Sequence, residues 1–320
     1  HLQSGKHKLL IGGNMKTLWT EKYRPKIASE YVFKDQAQKQ QVETWIKDKS
    51  IPHLLFSGGP GTGKTTLAKM LFNELEVQDA DVLQINASRQ NSVDDVRNLI
   101  TNFSSTMPWG EFKVVLLDEG DYLSPNAQGA LRGVMEQFHE VVRFVITCNY
   151  PNKIIPAVHS RCQGFHIQSL DQTEFIVRVG EILAKEEVEF EIDVLETYVK
   201  ATYPDLRKTI NNVQLHCIEG KLAMPVQTDS TEDYKLAMVA LFREGKVKEA
   251  RKLICEQVTL EEYEDVYRFL YRNLEFWGEE DKQDEAILII RNGLVKHGMI
   301  ADPEINLSAT LIELEKLKSG

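Results

Sequence analysis

The sequence predicts an α/β domain built on a parallel sheet, followed by two all-helical segments. Between His53 and His166, short near-continuous apolar runs alternate with helical patterns, as expected for strands buried on both faces of a parallel sheet. After Leu170 the strand signals stop and helical periodicity takes over. A length of 320 residues exceeds what one small core needs and fits two or three domains.

The expected strands are His53 to Ser57, Val82 to Asn86, Phe112 to Leu117, Arg143 to Cys148 and Phe165 to Ile167. Helices are expected near Gly63 to Leu75, Ser92 to Ser104 and Ser124 to Phe138. The last has Ser124 as N-cap and Pro125 at the first helical position, where its missing N–H costs nothing. Asp171 with Glu174 reads as a capping box that opens a helical run to about Glu219. Gly220 to Thr228 has the composition of a linker. Beyond it, Ser230 with Asp233 and Thr259 with Glu262 are further capping signatures, and Asp302 before Pro303 opens the last helix. The expected divisions are therefore 1–14, an expression-tag remnant or poorly ordered arm ahead of a natural start at Met15, then 15–169, 170–224 and 225–320. The chain shows no repeat of fixed period and no low-complexity tract.

A hydrophobic content of 42% with 27% charged residues is ordinary for a globular protein, and no run reaches the roughly 18 apolar residues of a membrane span. Cys148, Cys162, Cys217 and Cys255 lie far apart and form no CxxC pair. That argues against a zinc site or a disulfide framework and for a reducing, cytoplasmic compartment. Most of the net charge of −10 sits at the end: Pro225 to Gly320 carries 13 Lys and Arg against 20 Asp and Glu. The first two thirds are nearly neutral and can still present a basic face to a polyanion.

Gly58-Gly59-Pro60-Gly61-Thr62-Gly63-Lys64-Thr65 matches G-x-x-x-x-G-K-[ST] in full, after an apolar strand and before a helical pattern. Its glycines let backbone N–H groups curl around phosphate oxygens, and the following helix N-terminus adds its positive dipole. Lys64 is expected to reach the β- and γ-phosphates of ATP, and the Thr65 hydroxyl to ligate Mg²⁺. The run Phe112 to Leu117 delivers Asp118 and Glu119 to a strand end. Asp118 suits the Mg²⁺ shell, and Glu119 is placed to orient and deprotonate an attacking water. Paired acids at a strand end also serve as loop starters or helix caps, but a phosphate loop needs such a partner. The two acids speak for hydrolysis rather than passive binding. Asn149 ends the next strand, where its amide can meet the γ-phosphate, although Asn-Tyr-Pro is equally a turn signal.

Several motifs then agree with one family. Trp19-Thr20-Glu21-Lys22-Tyr23-Arg24-Pro25 resembles the N-terminal signature of the small subunits of sliding-clamp loaders, a branch of the AAA+ ATPases. Ile85-Asn86-Ala87-Ser88, the Asp118-Glu119-x-Asp121 box, Ala130-Leu131-Arg132, Ser160-Arg161-Cys162 and Pro204-Asp205-Leu206-Arg207-Lys208 follow in the family's order and approximate spacing. The resemblance covers roughly Trp19 to Leu215. It implies an AAA+ nucleotide-binding domain, a helical lid and a C-terminal helical collar that holds subunits together. Lys296-His297-Gly298 looks more like the phage members than the cellular ones and implies a phage source acting in a bacterial host.

The resemblance also implies roles. Tyr23, Arg24 and Pro25 lie beside the adenine, and the loop Gly59 to Thr66 (Gly59, Pro60, Gly61, Thr62, Gly63, Lys64, Thr65 and Thr66) holds the phosphates. Asn149 is the first γ-phosphate sensor, Arg207 the second, borne by the lid, and Arg161 the finger that reaches a neighbouring subunit's ATP site. Asn86 resembles a switch that holds the catalytic glutamate idle until DNA binds; a strand-end Asn also caps loops. A surface charge on a helix is the lesser alternative for Arg207. Arg89 and Arg97 are candidates for sequence-independent contact with DNA phosphates, although ordinary surface arginines look the same. Implied partners are a sliding clamp, primer-template DNA, a distinct loader subunit and further copies of this chain, four among five subunits, with no membrane partner.

Two positions depart from the pattern. Gly120 stands where members often carry Ala or a bulkier residue, and Gly133 replaces a second arginine after Ala-Leu-Arg. A branch-migration or protein-remodelling motor would want an aromatic pore loop, for which the sequence offers no clear candidate. Intact Lys64, Glu119 and Arg161 argue against a nucleotide-binding scaffold without turnover.

Overall fold

The computed structural model describes residues 17–89, 93–224 and 234–319. The expected tag or arm, the Ser92 helix start and the Ser230–Asp233 capping pair lie outside the described residues.

Five parallel strands form the central sheet: β1 (Leu54–Ser57), β2 (Val82–Asn86), β3 (Lys113–Asp118), β4 (Val142–Cys148) and β5 (Gln163–His166), in the order β2-β3-β4-β1-β5. Side chains alternate between the two faces of each strand, so Leu54 and Phe56 enter one core and Leu55 the other. One face is covered by α2 (Gln36–Lys47) and α3 (Lys64–Glu74) with Trp45, Leu67 and Leu71. The other is covered by α4 (Val93–Ser104) and α5 (Pro125–Gln137) with Val96, Ile100 and Leu131. Interior strands β1, β3 and β4 are buried almost throughout, while edge strands β2 and β5 are partly exposed. Ser124 caps α5 by accepting from the Ala127 N–H, with Pro125 at the helix start.

A short helix α1 (Trp19–Lys22) precedes α2, and α6 (Pro156–His159) precedes β5. The lid consists of α7 (Gln172–Lys185), α8 (Ile192–Thr202) and α9 (Leu206–Leu215), with Asp171 and Asp205 as N-caps of α7 and α9. A hairpin follows, β6 (Cys217–Ile218) and β7 (Lys221–Leu222), where the sequence reads as helix and linker. Its two-residue turn puts Glu219 and Gly220 at φ 50° and 77°, as a primed hairpin turn demands. The last segment packs α10 (Tyr234–Arg243), α11 (Val247–Gln257), α12 (Tyr263–Arg272), α13 (Glu280–His297) and α14 (Pro303–Ser319). Thr259 and Glu262 make the expected reciprocal capping box.

The apolar core does not stop at the expected boundary near residue 224. One cluster runs from Phe175, Tyr198 and Val213 in the lid to Phe242, Trp277 and Leu311 in the last segment. Ion pairs cross the same seam, Arg243 with Asp193 at 2.9 Å and with Glu196 at 3.5 Å, and Lys200 with Glu275 at 2.8 Å. Trp19 joins this cluster as well, so the N-terminal arm of the described chain, from Trp19 to Tyr23, packs on the lid, while Lys26 and Ala28 bond to Asn73 and Glu74 of α3. The arm is tied to the lid by Trp19 N–H to Gln214, by Lys22 and Tyr23 to Glu186, and by Arg178 to the Tyr23 carbonyl. Gly120 has a packing reason, since a Cβ there would lie 2.6 Å from Ile146 Cγ2. A Cβ at Gly133 would meet nothing within 4 Å.

Candidate active site

A parallel α/β sheet presents its strand carboxyl ends and helix N-termini on one edge, where ligands are bound. The loop after β1, the acids after β3 and the amide after β4 all meet there. Lys64, at the start of α3, is 9% exposed and donates to the carbonyls of Gly58 and Gly59 at 2.9 and 2.7 Å and to Asn149 Oδ1 at 2.8 Å. Burial lowers the affinity of its ammonium for the proton, and Cys148, Asp121, Asp118 and Glu119 oppose that effect.

Thr65 donates to Asp118 Oδ1 at 2.7 Å, and so does Thr147 from β4. Thr147 in turn accepts from the Glu119 N–H at 3.0 Å, which ties the two acids to one relay. Glu119 takes a left-handed backbone, φ 59° and ψ 44°, a sparsely populated conformation for a residue with a Cβ and one often held at functional sites. Thr65 and Asp118 offer oxygen ligands of the kind a hard divalent cation takes. Among the described residues no group of three or more His, Cys, Asp or Glu is placed to hold a metal. Two protein oxygens suit a cation that keeps waters and substrate phosphates as its remaining ligands.

Asn149 is held from behind. Asp121 Oδ2 accepts from the Asn149 and Tyr150 N–H groups at 3.2 and 3.1 Å. The sequence alone assigns no role to Asp121 or Thr147. The available signal for Thr147 was a lone hydroxyl in the run Phe144 to Cys148, and it is 1% exposed.

The lid closes over this edge. Arg207, in the first turn of α9, lines the cleft with Lys64, Asp118 and Glu119, and Asp205 faces the phosphate loop. Gly61 has φ +73°, and a Cβ there would lie 2.3 Å from Asp205 Oδ1, so only glycine fits between loop and lid. A second lobe of the cleft is lined by Tyr23, Pro25, Gly63 and Thr66. Gly59 and Thr62 complete the loop, with the Thr62 hydroxyl donating to the Gly59 carbonyl at 2.9 Å, and Pro60 lines the cleft.

Arg161 does not reach the cleft of its own chain. It follows α6, donates to the Ala157 carbonyl at 2.8 Å and pairs with Glu136 on α5. Asn86 lines the cleft, but its Oδ1 accepts from the Ser88 N–H and hydroxyl at 2.9 and 2.6 Å. Among the described residues no hydrogen bond joins Asn86 to Glu119. Arg89 and Arg97 are exposed, and neither forms an ion pair among the described residues.

The sheet domain and the lid each match a family model. Residues 54–169 match the "ATPase family associated with various cellular activities (AAA)", and residues 170–226 match the "Sliding-clamp-loader large subunit, AAA+ ATPase lid domain". The chain is 35% identical to the replication factor C small subunit of Sulfurisphaera tokodaii, over 93% of this chain and 94% of that protein. It belongs to the replication factor C small-subunit family. The corresponding subunit of Methanococcus maripaludis is also 35% identical, over 80% of each chain. The Thermotoga maritima RuvB Holliday junction branch migration motor shares the fold, at 17% identity and a TM-score of 0.53 over 73% of this chain and 80% of that one. Family membership carries the function read from the motifs, an ATPase motor subunit of a DNA-replication clamp loader. The expected phage source and bacterial host find no support in these archaeal relatives. Lys296, His297 and Gly298, which prompted that expectation, are the basic last turn and C-cap of α13, features that suit any helix end.

Proposed function

We propose that this chain is a Mg²⁺-dependent, DNA-stimulated ATPase whose active site is completed by Arg161 of a neighbouring copy, and that it opens a sliding clamp and leaves it on primer-template DNA. One observation carries the reading. Lys64, Thr65, Asp118, Glu119, Asn149 and Arg207 converge on one cleft, whereas Arg161 lies outside it.

In this mechanism Lys64 exchanges its carbonyl acceptors for the β- and γ-phosphate oxygens, and the N–H groups of the Gly59–Thr66 loop cradle the same group. Thr65 and Asp118 would hold Mg²⁺, which would supply neutralising charge to the phosphate oxygens. Glu119 aligns the attacking water and takes its proton. Asn149 and Arg207 hold the terminal phosphate, and Arg161 from the next copy meets the charge that develops in the transition state. Asn86 couples the state of Glu119 to DNA, and Arg89 and Arg97 contact its phosphates without reading sequence. The loader holds five subunits, four of them copies of this chain. Exposed Leu288, Val295 and Ile305 on α13 and α14 support packing against further copies in a collar.

The test uses the loader assembled with its partner subunit, clamp and primed template. Arg161→Ala is expected to lower turnover by roughly 10³-fold or more while leaving ATP binding by the separate chain unchanged. Full turnover in that variant would sink the reading.

A further inference from the structure

Arg24 lines the cleft that holds Lys64, Thr65, Asp118, Glu119 and Arg207, as well as the lobe lined by Tyr23 and Pro25. Its side chain is 19% exposed, and its buried Nε–H has no hydrogen-bond partner. A buried guanidinium N–H without an acceptor is costly, and it marks a place where an anion gains by arriving. The only carboxylate paired with this guanidinium among the described residues is Glu21, at 2.5 Å from Nη2, and Glu21 is itself 59% exposed. A partner so open to water holds the arginine weakly.

We infer that Arg24 is a further ligand of the terminal phosphate of ATP, held by Glu21 until the triphosphate takes it over. This rests on the nucleotide reading of the cleft and deepens it. Arg207 rides on the lid, and the segment just ahead of Arg24 is fixed to Gln214 and Glu186 of the lid, while Lys64 belongs to the sheet domain, to which Lys26 and Ala28 are tied through Asn73 and Glu74 of α3. A triphosphate bridging Lys64 to Arg24 and to Arg207 of the lid draws the lid down on the phosphate loop. A nucleotide that lacks the terminal phosphate loses part of that pull. The planar fork of Arg24 suits two phosphate oxygens, which an ammonium in its place does not match.

The experiment compares the dissociation constants of Mg-ATP and Mg-ADP by calorimetry on the full chain, for the wild type and for Arg24→Ala, Arg24→Lys and Glu21→Gln. Arg24→Ala is expected to weaken ATP by roughly tenfold or more and ADP by less than about threefold, with Arg24→Lys in between. Glu21→Gln, which frees the guanidinium, is expected to tighten ATP and leave ADP alone. Equal losses for both nucleotides in Arg24→Ala would place the arginine on the adenosine or the inner phosphates and overturn the inference. So would a Glu21→Gln chain with an unchanged ATP-to-ADP ratio, even if Arg24→Ala failed to fold. A wild-type chain that bound neither nucleotide would instead overturn the ATPase reading itself.

Discussion

Thr65 donates its hydroxyl to Asp118 Oδ1 at 2.7 Å, joining the phosphate loop to the end of β3. The oxygen that accepts it also accepts from Thr147, so the carboxylate is oriented before any cation reaches it. In the proposed mechanism this pair is the protein's share of the Mg²⁺ shell. ATP binding by the wild-type chain should therefore tighten when Mg²⁺ is added and weaken again when a chelator removes it.

Thr65→Val keeps the shape and removes the hydroxyl, and Asp118→Asn removes the charge. Each is expected to cut the Mg²⁺-dependent gain in ATP affinity by roughly 10- to 100-fold while affinity without the metal changes little. Titrations of labelled ATP with and without Mg²⁺ measure this. Variants that kept the full gain would show that the metal is held elsewhere.

Gln128 makes a different kind of link. It is 2% exposed on α5, and its Nε2 donates to the Leu123 and Lys153 carbonyls while its Oε1 accepts from the Ile155 N–H. One side chain thus satisfies three backbone groups on the segments that lead from Asp121 and towards Arg161. Gln128→Ala leaves all three without their side-chain partner and should cost about 2–4 kcal/mol. Urea unfolding followed by circular dichroism would reveal that loss. A change within about 0.5 kcal/mol would mean that water enters and replaces the amide.

The same contrast between local and distant contacts separates what could be read in the sequence from what could not. Strands β1 to β4 were legible to within a residue at each end because each is an apolar run closed by polar or turn residues. Strand β5 starts earlier than expected, at Gln163, because backbone pairing of Gln163 and Gly164 to Leu54 and Leu55 needs no apolar side chain. The hairpin β6–β7 escaped because strands of two residues carry no periodicity. That Lys64, Asp118 and Glu119 meet in one cleft was legible because each sits in a contiguous motif at a strand end. The position of the arm was not, since the bond between Trp19 and Gln214 spans 195 residues and leaves no local trace. Asp205 facing Gly61 escaped for the same reason.

His53 gives the sheet domain a pH response that the nucleotide chemistry does not require. Its Nδ1 accepts from the Phe144 N–H at 3.1 Å, so the neutral ring is the form built into the sheet. Burial, with Arg143 and His139 nearby, pushes its pKa from 6.5 down to about 4. A group whose folded pKa is depressed stabilises the fold above its unfolded value and loses that contribution as pH falls. Between pH 6.5 and about 4 the unfolded chain binds the proton and the folded chain does not, so stability must drop across that window. The ring is only partly buried, and solvent screening holds the loss to on the order of 2 kcal/mol. His53→Asn keeps an acceptor for the Phe144 N–H and cannot take up the proton. Urea midpoints at pH 7.5 and 5 should differ less for His53→Asn than for the wild type, and an identical pH dependence in the two proteins would remove His53 as the cause.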